Sequence, residues 1–164
     1  MMAAERRVAQ MWDTFQGVAR MARDVPKLLP KSKCSPARLA EHWARKSPDG
    51  LALACLDERI SWSDLNASAN RYAAWFAKRG IGREDVVALM MDNRPDFVFI
   101  VLALSKLGAS SALINTKLTA QALTHGVNVS GAKMVLVGSE HQDAVLAVIP
   151  DLEFVATLTP CVSA

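Results

Sequence analysis

The sequence has few cysteines and no long apolar run, and both shortages narrow the class of protein. Its three cysteines are odd in number, stand far apart and form no Cys-x-x-Cys pair, at positions Cys34, Cys55 and Cys161. This spacing predicts neither a disulfide framework nor a zinc site. The longest apolar run, FVFIVLAL at residues 97–104, has eight residues, whereas a membrane-spanning helix needs about 20. We therefore expect no transmembrane helix.

The N-terminus also lacks the pattern of a secretory signal, because no continuous apolar core precedes a small-residue cleavage site. A reducing, cytoplasmic setting is therefore expected. The 164 residues are one domain's worth of chain, enough to bury a core without disulfides or metals. With 51% hydrophobic and 21% charged residues, the composition is typical of a globular protein rather than a disordered one.

Positive charge is concentrated in an N-terminal arm. Through Lys46 there are ten Lys and Arg against four Asp and Glu, and the rest of the chain has nine against twelve. Apolar side chains recur at helical spacing between residues 3 and 23, at Val8, Met11, Trp12, Phe15, Val18, Ala19 and Ala22. This basic helix either makes peripheral contact with an anionic membrane through residues 1–30 or docks on its parent protein. We assign residues 1–34 to the arm and a Pro- and Lys-rich linker, and residues 35–164 to a folded subdomain.

Beyond the arm, short apolar strands alternate with helices. Ser35 and Pro36 predict a helix start, Ser63 is predicted to cap the next helix, and Gly80 to end it. Strands are predicted at residues 51–57, 58–62, 86–91, 110–115 and 134–138, and helices at 36–46, 63–79, 95–107, 119–129 and 140–148. The first two strands form a hairpin. Alternation of this kind predicts an α/β fold with an open, mainly parallel sheet and helices on both faces.

Polar residues follow three of the predicted strands, in the segments DNRP, NTK and GSE that begin at residues 92, 115 and 138. In open parallel sheets, ligands bind outside the carboxyl ends of the strands, where helices begin with a partial positive charge. The side chains at these tips are therefore predicted to face a ligand crevice. The alternative is that Asn93 and Asn115 only cap or turn the chain.

Other motifs that carry chemistry are missing from the sequence. GVNVSGAKM has the glycine spacing of a P-loop at Gly126 and Gly131, but Ala132 stands before its lysine, and it ends a helix instead of starting one. No G-x-S-x-G elbow surrounds Ser139. The histidines are dispersed and are expected at surfaces or interfaces, at positions 42, 125 and 141. We predict no catalytic residue, metal ligand, cofactor-binding residue or specific nucleic-acid site in this chain.

Residues 60–140 carry several motifs in a fixed order, namely SWSDL, RGIGREDVVALMMDNRPDF, LALSKLGA and a strand that ends in Asn115. This order resembles the N-terminal region of the adenylate-forming (AMP-dependent) synthetases, which include acyl-CoA synthetases, luciferases and peptide-synthetase adenylation domains. Many members have Pro where this chain has Leu113. The run ALINTKL is instead similar to the very-long-chain acyl-CoA synthetase and fatty acid transport protein branch, where a His follows at the position of His125. Lys117 departs from the Asn usual in that branch.

The resemblance implies a ligase that uses ATP, magnesium and coenzyme A to convert a fatty acid to its acyl-CoA thioester, with AMP and pyrophosphate as the other products. Phosphate charge is neutralised in this family by a Ser/Thr/Gly-rich loop ending in Lys, a Thr-Glu pair and a C-terminal Lys, and an Asp holds the ribose. None of these motifs occurs in this chain, so no cofactor is assigned to it.

A truncated fatty-acyl-CoA synthetase, inactive as this chain alone, is therefore the expected function. The alternative is a non-catalytic α/β module that binds acyl chains, a membrane surface or a partner protein. By resemblance and by their place near the strand tips, four residues are expected to line the acyl or nucleotide crevice of the complete enzyme, namely Asn93, Asn115, Thr116 and His125.

Overall fold

A computed structural model describes residues 35–55 and 58–147, together with the backbone of residues 155–158. The predicted basic arm, residues 1–34, lies outside these described residues, so its boundary, its docking and its membrane contact stay predictions. None of the helices described is both long and apolar enough to cross a membrane.

The described elements begin with a helix, a hairpin and a second helix, and then alternate between strand and helix. In chain order they are α1 (Pro36–Lys46), β1 (Leu51–Cys55), β2 (Glu58–Ser61), α2 (Trp62–Ala77), β3 (Val86–Met90), α3 (Pro95–Leu107), β4 (Ser110–Leu113), α4 (Ala120–Ser130), β5 (Met134–Gly138), a 3-10 turn (Ser139–His141), α5 (Gln142–Leu146) and β6 (Val155–Leu158). The antiparallel β1–β2 hairpin confirms the predicted one.

The main sheet has four strands in the order β4-β3-β5-β6, and each pair of neighbours is parallel. In register, Leu89 of β3 lies opposite Leu113 of β4 on one side and Leu136 of β5 on the other. The chain therefore passes from β3 to β4 at one edge of the sheet and then crosses to β5, which lies on the other side of β3. Such a reversal is a topological switch point, and here it lies between β3 and β5.

Side chains alternate between the two faces of the sheet, and a helical layer covers each face. One buried cluster joins Val87 and Leu89 to α2 and α3, and its buried members are Phe76, Ile81, Val87, Leu89, Met91, Ile100, Ala103, Leu104, Met134 and Leu136. The other joins Ala88 and Met90 to α4 and α5, with Leu123, Val127, Val135, Val137 and Val145. The predicted open, mainly parallel sheet with helices on both faces is confirmed.

Two local predictions were wrong, the cap of α2 and the start of the last helix. Ser61, and not Ser63, caps α2, because its Oγ accepts a hydrogen bond from the backbone N–H of Asp64 at 3.1 Å. Gly80 ends this helix as predicted, because it has a left-handed φ of 74° and the N–H groups of Gly80 and Ile81 donate to the carbonyls of Ala77 and Phe76. The last predicted helix begins instead as a 3-10 turn, where side chains of the turn reach across to the loop after β3.

Lys106 of α3 ties together three helices. Its Nζ donates hydrogen bonds to Oε1 of Glu41 on α1 and, at 2.9 Å, to Oδ1 of Asn66 on α2. The Lys106 side chain is only 10% exposed. The hydrogen bond from this ammonium group, helped by its charge, lowers the pKa of Glu41 below the ordinary value of 4.5 despite the opposing effect of burial.

The Glu41–Lys106 pair should make stability depend on acid. Because the folded-state pKa of Glu41 is depressed, its contribution is complete above about pH 4.5 and is lost as pH falls through the folded value. The glutamate side chain is 38% exposed, so solvent screening limits the effect to about 1 kcal/mol. Urea unfolding measures the free energy of unfolding at several pH values between neutral pH and about pH 3. This free energy should fall less with decreasing pH in Glu41→Gln and Lys106→Met than in the parent. An unchanged slope in both variants would contradict this assignment.

Candidate functional site

The candidate site lies at the carboxyl ends of β3 and β5, on the two sides of the switch point. The loop after β3 brings Asp92 and Arg94 to this edge, and the 3-10 turn after β5 brings Glu140 and His141. The two strands are hydrogen-bonded neighbours that point the same way. Their following loops therefore meet where an open α/β sheet holds its ligands.

Glu140 makes the strongest connection between the two loops. Its Oε1 accepts a hydrogen bond from the backbone N–H of Asp92 at 3.0 Å, and its Oε2 accepts one from Nη1 of Arg94 at 3.2 Å. The carboxylate lies directly over Gly138, where a Cβ atom would overlap it. Glycine at the end of β5 thus leaves the space into which the Glu140 side chain folds back.

His141 and Asp92 form a second connection. Nε2 of His141 lies 2.9 Å from Oδ1 of Asp92. Arg94 extends the network inward, because its Nε lies 3.7 Å from Oδ2 of Asp96, and Asp96 accepts a hydrogen bond from the hydroxyl of Tyr72 on α2. The site is therefore anchored to the buried side of α2 and α3, while Asp92 remains its most exposed member at 66%.

The electrostatic balance of the site favours a charged carboxylate at Glu140. Burial by itself would raise the pKa of Glu140, but hydrogen bonds from the backbone N–H groups of Asp92 and of Glu140 itself, together with the charges of Arg94 and His141, lower it overall. Arg94 and His141 therefore stand among carboxylates from two loops. The arrangement can bind a further positive or hydrogen-bond-donating group on its exposed side.

The predicted site residues are only partly brought together. Asn93 is exposed in the loop after β3, and Asn115 and Thr116 follow β4, the neighbouring parallel strand, so all three lie at one edge of the sheet. Oδ1 of Asn115 accepts a hydrogen bond from the backbone N–H of Lys117 at 2.9 Å, which is the turn role weighed as the alternative. His125 is exposed in the middle of α4 and not at a strand tip.

Sequence reasoning placed Asp92, Arg94 and Glu140 at strand tips that face a ligand crevice but did not count them among the site residues, and it missed His141. Their contacts join positions 46 to 49 residues apart, and only the strand order shows that the two loops meet. A signal was nevertheless available. The segments DNR and SEH each follow a buried strand and carry complementary charges.

The magnesium implied by the family resemblance does not fit this cluster. Mg²⁺ takes oxygen ligands in near-octahedral geometry, whereas His141 offers an imidazole nitrogen to this cluster. The loop, Thr-Glu pair and lysine that would hold nucleotide phosphates are absent from the sequence. No step of ATP chemistry is therefore assigned to these side chains.

Comparison with known proteins agrees with the fold. Residues 40–162 match the family model described as AMP-binding enzyme. Over 116 residues the chain is 35% identical to a medium/long-chain-fatty-acid–CoA ligase of Mycobacterium tuberculosis. The aligned segment covers 71% of this chain and 19% of that ligase. Over 144 residues it is 33% identical to long-chain fatty acid transport protein 2 of Rattus norvegicus, and this alignment covers 85% of this chain and 23% of the transport protein.

A solved structure gives the same result. The fatty acyl CoA synthetase of Mycobacterium tuberculosis superposes with a TM-score of 0.70 and 28% identity, over 74% of this chain and 26% of that one. The chain thus spans about a fifth to a quarter of the length of these relatives. Because the family model covers most of the folded region, the chain belongs to the AMP-binding enzyme family of adenylate-forming synthetases.

Proposed function

We propose that this chain forms part of the N-terminal domain of a fatty-acyl-CoA synthetase. The observations that carry the proposal are the 35% identity to a fatty-acid–CoA ligase over 116 residues and the family match over residues 40–162, which include β3, β4 and β5. In the complete enzyme, the fatty acid carboxylate attacks the α-phosphorus of ATP and pyrophosphate leaves. The thiol of coenzyme A then attacks the acyl carbonyl, and AMP leaves with formation of the thioester.

The role proposed for this chain is to build one wall of the crevice, not to carry the chemical steps. Transfer of the adenylyl group requires neutralisation of phosphate charge by cationic and metal-binding groups. The only arginine at the candidate site, among the described residues, is Arg94, and its Nη1 is engaged by Glu140. We therefore propose that the 164-residue chain alone does not form acyl-adenylate.

The test is fatty-acid-dependent exchange of pyrophosphate into ATP. The isolated chain should show no exchange above a protein-free blank with palmitate, magnesium and ATP present. A full-length fatty-acid–CoA ligase in the same assay serves as the positive control. Exchange that depends on both the fatty acid and this chain would overturn the proposed inactivity.

The strand-tip residues are proposed to line the acyl or nucleotide crevice of the complete synthetase. Asn93, Asn115 and Thr116 share the carboxyl edge of the sheet, which supports this role. His125 is included because its position matches the His of the fatty acid transport protein branch, although it lies on α4.

Two substitutions of Asn115 distinguish a role in the turn from a role in binding substrate. In the full-length synthetase, Asn115→Ala should lower kcat/KM for adenylation by about 5- to 150-fold, the effect of losing a hydrogen bond of about 1–3 kcal/mol. Asn115→Asp keeps the oxygen that accepts from the Lys117 N–H but loses the amide donor. It should keep the parent's stability and lose a similar share of activity. Parent-like activity in Asn115→Asp would leave Asn115 with only its turn role.

A further inference from the structure

The most unusual set of side chains in the described residues is a trio of possible metal ligands at the switch point. Asp92, Glu140 and His141 each offer one ligand atom, and these atoms all lie within 4.8 Å of one another. Two come from consecutive residues of a 3-10 turn and the third from the loop after β3. The set therefore joins two loops that are far apart in sequence.

We propose that Asp92, Glu140 and His141 bind a divalent transition-metal ion, with Zn²⁺ as the best-fitting member of that class. One imidazole and two carboxylates form a donor set that zinc accepts, completed by a water molecule in tetrahedral geometry. Magnesium and calcium favour sites built only from oxygen atoms. The proposal is independent of the fatty-acyl-CoA synthetase function, since it concerns binding to this chain alone.

The distances suit such an ion after a small movement of one side chain. Nε2 of His141 and Oδ1 of Asp92 already lie 2.9 Å apart. Zinc bonds of about 2.0–2.2 Å place tetrahedral ligand atoms about 3.4 Å from one another, so no pair in the trio has to close by more than about 1.4 Å. The Asp92–His141 pair must instead open by about 0.5 Å to reach that spacing, and the Asp92 side chain, which is 66% exposed, has room for such a rotation.

The neighbouring groups have the character of supporting contacts around a metal site. Arg94 and the backbone N–H of Asp92 hold the Glu140 carboxylate in place, and ligating carboxylates in metal sites are commonly held by such hydrogen bonds. Space over Gly138 allows the carboxylate to fold back to this position. Two carboxylates outweigh the single charge of Arg94, so these three groups together carry a net negative charge that attracts a dication.

Isothermal titration of the 164-residue chain with zinc chloride tests the proposal. The parent should bind about one ion, and Asp92→Asn and His141→Gln should each weaken binding by about tenfold or more. The matched controls His125→Gln and Asp143→Asn change the same residue types at exposed positions outside the trio, and they should bind as the parent does. Circular dichroism of every variant checks that the fold is kept.

Two results would overturn the proposal. Absence of zinc binding by the folded parent would do so, and so would equal affinity in the parent, Asp92→Asn and His141→Gln, because the ion would then lie elsewhere in the chain. Should His141→Gln fail to fold, Asp92→Asn still decides the question, since its carboxylate is mostly exposed. A large excess of magnesium should not displace the zinc, and displacement would contradict the assignment to transition metals.

Discussion

Replacing Leu136 with alanine is expected to lower the free energy of unfolding by about 2–5 kcal/mol. Leu136 is fully buried in the middle of β5, in the cluster shared with α2 and α3. Its removal leaves a cavity between the sheet and these helices, and the lost contacts add to the lost transfer energy. Urea unfolding followed by circular dichroism measures the difference.

Leu113→Ala provides a matched control, because it makes the same chemical change in a strand of the same sheet. Leu113 is 59% exposed on β4, so its replacement should change stability by no more than about 1 kcal/mol. Equal losses in the two variants would mean that β5 is not the centre of the core. A small loss in Leu136→Ala alone would mean the same.

Gly138→Ala is expected to break the connection between the β3 and β5 loops. The new Cβ would overlap the Glu140 carboxylate, which must then leave its hydrogen bonds to the Asp92 N–H and to Arg94. Loss of these exposed, charge-assisted bonds should cost about 0.5–1.5 kcal/mol in the free energy of unfolding. Gly82→Ala is the control, since a Cβ there meets no atom within 4 Å.

A double-mutant cycle separates this steric cause from any other effect of Gly138. In a Glu140→Ala background the overlapping carboxylate is gone, so Gly138→Ala should there cost no more than a few tenths of a kcal/mol. If the cost persists undiminished in that background, the overlap with Glu140 is not its origin. The same cycle also measures how much the Glu140 contacts contribute to joining the two loops.

Long, regular patterns made most of the fold predictable. The predicted ranges of α3 and β5 agree with the structure, because Pro95 and Gly108 bound the helix and an unbroken apolar run, MVLVG, forms the strand. The strand β6 was not predicted, since the four residues VATL are too short for periodicity to distinguish strand from helix.

The cap of α2 could have been predicted correctly. In SWSD, Ser61 stands three residues before Asp64, which is the spacing of a capping box, and the two side chains are hydrogen-bonded at 2.6 Å. Ser63 lacks an acidic residue at that spacing, because Asn66 stands there. The error came from extending the hairpin strand through Trp62.

The candidate site was less predictable than the fold, for a topological reason. Each loop could be identified as a strand tip, but the sequence does not show that β5 lies beside β3 and β4 on the opposite side. Without the strand order, Asn115 and the loop after β5 were equally good candidates for the centre of the ligand crevice. Asp92, Glu140 and His141 form a cluster only because the two crossovers bring their loops together, so the cluster cannot be recognised without the strand order.

We propose that this chain is part of a longer fatty-acyl-CoA synthetase, and sequencing the DNA immediately downstream of the Ala164 codon is the decisive experiment. The expected result is an in-frame or frame-shifted continuation that encodes a Ser/Thr/Gly-rich loop ending in Lys, followed by a Thr-Glu pair. A genuine stop codon followed by unrelated sequence would contradict it, and a stand-alone binding module would then be the better explanation of the fold.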